Sequence, residues 1–341
     1  MKNFILFLFI IFFCKYLYSN SLFDTPFYDV EFESNDIESE KIKKINEIKI
    51  ESISNLFNRI LESDQYKEII KTLSKDGINT LIKNIIINDE KIISDKYFAQ
   101  IKINFDKKKI VTLLRKYQIP YVEHIPDKFL LIIYEENELD YNILSKKNIY
   151  YSFLNKKISD YDLFKIPNLD INDRFILKKE DILNRNFNKI LKLSNKYNLN
   201  EIIVIIIKNK NNKFFYNISL YSDNKFIEKE LEFDDRNFDL FFKKVQNESI
   251  NLWKQINYIQ NAFLQNISCK INYYNMLELK EIRNNINNIS VIEKISIQEL
   301  SYRKIKYNIS YYGDFQILSK LLNINKLKVN NINNECEIKL K

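Results

Sequence analysis

The sequence predicts an α+β protein with split-βαβ (ferredoxin-like) units at both ends and an αβββα piece between them. Three observations lead there. Short runs that alternate apolar with polar residues, or are apolar throughout, lie between longer runs whose apolar residues recur every three or four positions. These are the signatures of strands and of amphipathic helices. The order strand, helix, strand, strand, helix, strand occurs near the start and again near the end, which is the order of a split βαβ unit. Finally, 341 residues exceed one typical domain. The expected division is a leader at 1–21, an N-terminal unit at 22–137, a middle piece at 138–262 ending in a long helix, and a C-terminal unit at 263–341.

Each element has its own justification. In 27–33, Tyr28, Val30 and Phe32 share one face and acidic residues the other, as in a half-buried strand. Ile42, Ile45, Ile48, Ser52, Leu56 and Ile60 then recur at helical spacing through 37–61. A helical stretch at 77–84 leads to strands at 85–93 and 96–104, and Asp106 caps a helix carrying Ile110, Val111, Leu113, Leu114 and Tyr117. Beyond Pro120, residues 129–134 are apolar throughout and read as the buried strand that completes the first unit. Residues 138–175 read as irregular. A helix is expected at 180–197, a continuous apolar strand at 201–207, and a hairpin of 213–221 with 225–233 turning at Asp223 and Asn224. The long helix at 237–263 carries Phe238, Phe241, Phe242, Val245 and Trp253, a stripe read as core rather than as a partner groove. The last unit has strands at 267–273, 291–299 and 303–312, helices at 277–289 and 314–322, and short strands at 326–329 and 335–340.

The chain begins with Lys2, an unbroken apolar run at 4–13, and small residues Ser19 and Ser21. That order is a secretory signal peptide. Lys15 ends the run before the roughly 20 residues that a spanning helix needs, so an uncleaved anchor is the lesser reading. No transmembrane span is expected after processing. Cys14 would leave with the leader, and the remaining Cys269 and Cys336 could form one disulfide in an oxidising compartment. In a split βαβ unit the first and last strands are antiparallel neighbours, which would bring these two cysteines together on the helix-facing side.

Composition excludes several function classes. Gly77 and Gly313 are the only glycines, so no glycine-rich phosphate loop is present. The net charge of +8 invites a nucleic-acid reading, but only seven of the 53 basic residues are arginine, and arginine is the side chain that reads guanine and phosphate bidentately. The lysines are scattered among acidic residues, which does not describe a nucleic-acid surface.

Residues 96–106, Lys-Tyr-Phe-Ala-Gln-Ile-Lys-Ile-Asn-Phe-Asp, are followed by Leu113-Leu114-Arg115 and then Pro120-Tyr121-Val122-Glu123 before the apolar strand at 129–133. This run, with the tail from Leu300-Ser301 through Tyr311-Tyr312-Gly313-Asp314 to Leu321-Leu322, resembles the exported proteobacterial family catalogued as domain of unknown function 2066. The resemblance covers nearly all of the mature chain. It implies a signal-bearing envelope protein of a Gram-negative bacterium, and it implies no activity and no catalytic residues.

The residues themselves agree with that silence. His124 is the only histidine, and nucleophilic catalysis would need it within reach of a nucleophile and an orienting group; a loop-bracing or solvent-facing role is expected instead. Zinc needs clustered His and Cys, which the chain lacks. Asp170 to Asp173 resembles a calcium loop only faintly, with Phe175 where that loop needs glycine, and helix capping by Asp173 is the expected role. The acid pairs Glu135-Glu136 and Asp234-Asp235 are expected to be solvated charge at strand ends. No catalytic, cofactor-binding or metal-binding residue is therefore assigned, and no cofactor is implied. The function expected is that of a non-catalytic periplasmic protein that binds another envelope protein or supports an assembly. An envelope enzyme of unknown class, or a peripheral binder of anionic envelope surfaces, is the alternative.

Overall fold

A computed structural model describes residues 22–126, 128–136, 140–210, 213–222, 225–231, 237–332 and 335–341. The expected leader at 1–21, the expected turn at Asp223 and Asn224, and the pair Asp234-Asp235 lie outside the described residues. The chain is α+β, with three sheets and helices packed on them.

The first sheet holds β1 (Tyr28–Glu33), β2 (Ile82–Ile93) and β3 (Lys96–Phe105) in the order β1-β3-β2, all antiparallel. Tyr97, Ala99, Ile101, Ile103 and Phe105 of β3 are buried while their neighbours are not, so only one face is covered. Helix α1 (Ile37–Ile60) supplies Ile53, Leu56, Phe57 and Ile60 to that face, and Asp36 caps it by accepting from the Ser39 amide. Helices α2 (Ser63–Thr72), α3 (Lys75–Leu81) and α4 (Lys107–Lys116) complete the unit; α2 was not expected from the sequence.

The strand expected to complete this unit is not part of its sheet. β4 (Phe129–Glu136) pairs in parallel with β7 (Glu201–Lys210) in the middle sheet. The order there is β5 (Tyr141–Ile143), β4, β7, β8 (Lys213–Ser222), β9 (Lys225–Leu231), with β6 (Phe164–Lys165) on β4. The physical reason lies in the side chains. Residues 129–134 are buried one after another, and a strand apolar on both faces belongs in the interior of a sheet covered on both sides.

The described residues 140–175, expected to be irregular, carry three short helical elements and two short strands. They form α5 (Ile149–Lys156), a 3₁₀ turn (Ile158–Tyr161) and α6 (Ile171–Ile176), held by an aromatic cluster in which Tyr150 and Phe153 meet Phe238 and Phe242 at ring distances of 5.2–6.4 Å. The helix expected at 180–197 is two helices, α7 (Lys179–Leu183) and α8 (Phe187–Lys196). Arg185 adopts φ 53° between them and the Asn186 side chain caps α8, so the axis breaks there. The long helix α9 (Phe238–Asn257) packs on β8 and β9. It stops at Tyr258, because the Ile259 amide donates to the Tyr121 carbonyl at 2.8 Å.

The last sheet contains β10 (Leu264–Asn272), β11 (Ile292–Ser301), β12 (Lys304–Tyr312), β13 (Leu327–Ile332) and β14 (Glu335–Leu340), with α10 (Met276–Asn287) and α11 (Phe315–Ile324). Its order is β11-β12-β10-β14-β13. The fourth strand is therefore not β10's neighbour. A fifth strand, β14, is inserted between them; it runs parallel to β10 and antiparallel to β13. Among the described residues no helix is long and apolar enough to cross a membrane.

Candidate functional site

The two cysteines face each other across β10 and β14. Cys269 and Cys336 are register partners, with Cα atoms 4.4 Å apart and a disulfide between them. The neighbouring strands are parallel, not antiparallel as the split-βαβ order implies, but lateral neighbours in either sense lie within disulfide reach. Both residues are buried.

His124 and Glu123 lie in the connector 119–126, and they point to different partners. The Glu123 side chain is 3 % exposed and forms an ion pair with Lys107. Its carboxylate also accepts from the Ser290 amide at 3.0 Å and the Ser290 hydroxyl at 2.5 Å. His124 instead meets Trp253 edge to face, 4.8 Å between ring centres. Its Nε2 is buried with no hydrogen-bond partner. Burial, helped by the positive charge of Lys320, pushes its pKa down to about 3, so the ring is neutral at ordinary pH. Among the described residues no nucleophile hydrogen-bonds to it, and the two described cysteines are joined to each other. Glu123 braces the fold through Lys107 and Ser290, and His124 through Trp253.

Around this connector the three units are joined. The Val122 amide donates to the carbonyl of Ile60 at the end of α1. Lys254 of α9 donates to the carbonyls of Asn58 and Leu61 at 2.6 and 2.9 Å, placing a cation at the negative end of α1's dipole. Burial lowers its pKa to about 8. Lys320 of α11 donates to Glu201 and Asn257, both at 3.1 Å. Trp253 donates to the same Glu201 oxygen. Arg115 of α4 pairs with Glu293, donates to the Ser290 carbonyl and stacks 4.2 Å over the Tyr312 ring. These buried polar groups hold units together.

The acid candidates separate in the same way. Glu135 and Glu136 are consecutive strand residues and so face opposite sides of the sheet. Burial pushes the Glu135 carboxyl up. Glu136 would also be raised by desolvation, but the hydrogen bond from Lys179 and the positive charges of Lys179 and Lys208 bring it below the usual carboxylate range. Their pKa values diverge, and the two side chains point to opposite faces of the sheet. Asp173 is fully buried and does not cap α6. Asp170 does that, accepting from the Asp173 amide, while Asp173 accepts from Lys196, Tyr197 and the Leu169 amide. Among the described residues no group of three or more His, Cys, Asp or Glu side chains could hold a metal.

One surface feature escaped the sequence reading. Tyr274, Met276 and Leu277, where β10 meets α10, are 68–79 % exposed; Leu300 and Tyr302, at the β11–β12 hairpin, are 67 and 85 % exposed. The Tyr273 amide donates to the Arg303 carbonyl at 3.1 Å, which sets the two turns side by side. Five large apolar side chains therefore gather at one end of the C-terminal sheet. The available signal was their position: Tyr274 and Tyr302 stand in turns, which favour Gly, Pro, Asn, Asp and Ser, and Met276 and Leu277 open α10. Compared with known protein families and with curated proteins, the chain matches no family model and no curated sequence.

Proposed function

We propose that this is an exported, non-catalytic cell-envelope protein of the periplasm that binds another envelope protein or supports an assembly, and that it belongs with the family catalogued as domain of unknown function 2066. The observation that carries the reading is the exposed apolar end of the C-terminal sheet, since a contiguous apolar patch on a water-facing surface marks an interaction site. The Cys269–Cys336 bond accords with an oxidising compartment. Glu123, Lys254 and Lys320 serve as struts between units, a use of ionisable groups that suits a non-catalytic scaffold.

Affinity capture with crosslinking in the envelope tests this. A partner should be recovered with the wild type and lost with Leu277→Ser/Tyr302→Ser, whose side chains are too exposed for the change to unfold the sheet. Equal recovery with both would sink the docking reading. Sequencing the N-terminus of protein released from the periplasm should place cleavage between residues 17 and 22; an intact Met1 in the membrane fraction would mean an anchor.

A further inference from the structure

The N-terminal and C-terminal units do not close completely on each other. Between α4 with the start of β2 on one side, and α10 with the edge strand β11 on the other, lies a cleft of about 1230 Å³. It is large enough for a small organic ligand. Six basic side chains line it against two acidic ones, Asp106 and Glu293. Lys107 is paired with Glu123 and Arg115 with Glu293. The Asp106 carboxylate caps α4, accepting from the Lys108 and Lys109 amides. That leaves Lys83, Lys108, Arg283 and Lys294, none of which has an ion-pair partner among the described residues. Four like charges around one cleft repel each other, and a bound anion would relieve that repulsion.

Tyr307 of β12 also lines the cleft. The residue is 3 % exposed, yet its hydroxyl has no hydrogen-bond partner. Buried polar groups are nearly always paired, and an unpaired one points to a missing partner. Burial raises the phenol's pKa, so the group is a standing proton donor. Arg283, close enough to act on that hydroxyl electrostatically, brings a planar fork suited to an oxyanion. Ile286, Ile292 and Ile295 add an apolar wall.

We propose that this cleft binds a phosphorylated ligand, its phosphate held by Arg283 and the Tyr307 hydroxyl and its remaining charge balanced by Lys83, Lys108 and Lys294. A phosphate group can carry two charges and three acceptor oxygens, which fits a donor set of one guanidinium, one hydroxyl and three ammonium groups better than a single carboxylate does. The phosphate could belong to a soluble compound or to a lipid headgroup, and the test separates these sources.

Calorimetric titration of the purified protein at about 0.15 M ionic strength, where loose surface attraction is screened, uses three probes: pyrophosphate, micelle-free dihexanoyl phosphatidic acid, and citrate. One-site binding of at least one phosphate probe is expected, weakened tenfold or more by Arg283→Gln and threefold or more by Tyr307→Phe. Lys67→Gln, on the exposed surface of α2, should change nothing. Response to pyrophosphate supports a soluble ligand, and response to the phosphatidate alone supports a headgroup. Absence of saturable binding by both, equal affinity for citrate, or binding indifferent to Arg283→Gln overturns the proposal. Tyr307→Phe removes only an unpaired hydroxyl, so its melting temperature should not fall, and weaker binding there cannot be blamed on unfolding.

Discussion

The two ends of the molecule carry the same order of strands and helices and resolve it differently. The N-terminal unit keeps three strands and gives its fourth to the middle sheet; the C-terminal unit keeps its own four and adds a fifth. The difference teaches that element order does not decide sheet membership. Side-chain pattern does. β3 and β12 alternate buried with partly exposed residues and stay in sheets covered on one face. β4, buried at six consecutive positions, pairs with the equally apolar β7, where helices and neighbouring strands cover both faces. At the other end, β14 carries Cys336 and Ile338 on its buried face, which suffices for a strand with one covered side.

The sharpest way to break this comparison is to open the disulfide. Cys269→Ala/Cys336→Ala removes a crosslink spanning 67 residues, worth about 4 kcal/mol in the chain-entropy account. Hydrogen exchange should quicken in β10, β13 and β14 and remain slow in β1–β3. Uniform loss of protection across both ends would show that the units do not respond separately. Next, Ile132→Ala should cost about 3 kcal/mol, as for large-to-small changes in a packed core. If β4 serves the middle sheet, β7 and β8 lose exchange protection first; earlier loss in β1 would place the strand in the N-terminal unit after all.

Glu123→Ala attacks the junction between the ends. It leaves the Ser290 amide without its acceptor and Lys107 with the Asn288 carbonyl alone. Removing one partner of a buried pair costs 3–5 kcal/mol, but Lys107 is a third exposed, so about 2 kcal/mol is expected. Urea unfolding should then become less cooperative as the two ends uncouple; an unchanged midpoint would show that the contact carries nothing. The remaining effect is confined to acid pH and concerns His124. Its folded pKa lies near 3, below the ordinary value of about 6.5. Between those values the unfolded chain binds a proton that the folded chain does not. Stability is therefore fully present above about pH 6.5 and is lost as pH falls towards 3, by up to about 1.4 kcal/mol per pH unit. His124→Gln should flatten the acid limb of a stability-against-pH curve by that slope. A parallel curve would mean that the imidazole is protonated in the fold.

Much of the fold was legible because local chemistry speaks locally. The cap at Asp106, the alternation of β1 and the helical stripe Phe241, Phe242 and Val245 lie where the residues alone put them. The break at Arg185 was not legible, since nothing but a positive φ marks it. Neither was α5, whose aromatic face has meaning only against Phe238 and Phe242 of a helix almost ninety residues later. The same limit applies to the candidate sites. The sequence lists His124, Glu123 and Lys107, but it does not say that Glu123 turns to Lys107 and Ser290 while its neighbour turns to Trp253. The cleft's lining comes from β2, α4, α10, β11 and β12 together, and no window of sequence contains it.

By itself the sequence determined the α+β class, an apolar run at 4–13, the absence of a glycine-rich loop and of a histidine cluster, and the positions of most strands and helices. These depend on residue type and on spacing within about ten residues, where the backbone geometry of one element is the whole constraint. Only the tertiary structure decided which strands share a sheet, in which sense β14 lies beside β10, which charges are paired across units, and which turns lie side by side to expose Leu277 and Tyr302. Those outcomes depend on how faces from distant segments bury one another, and burial is a property of the assembled chain.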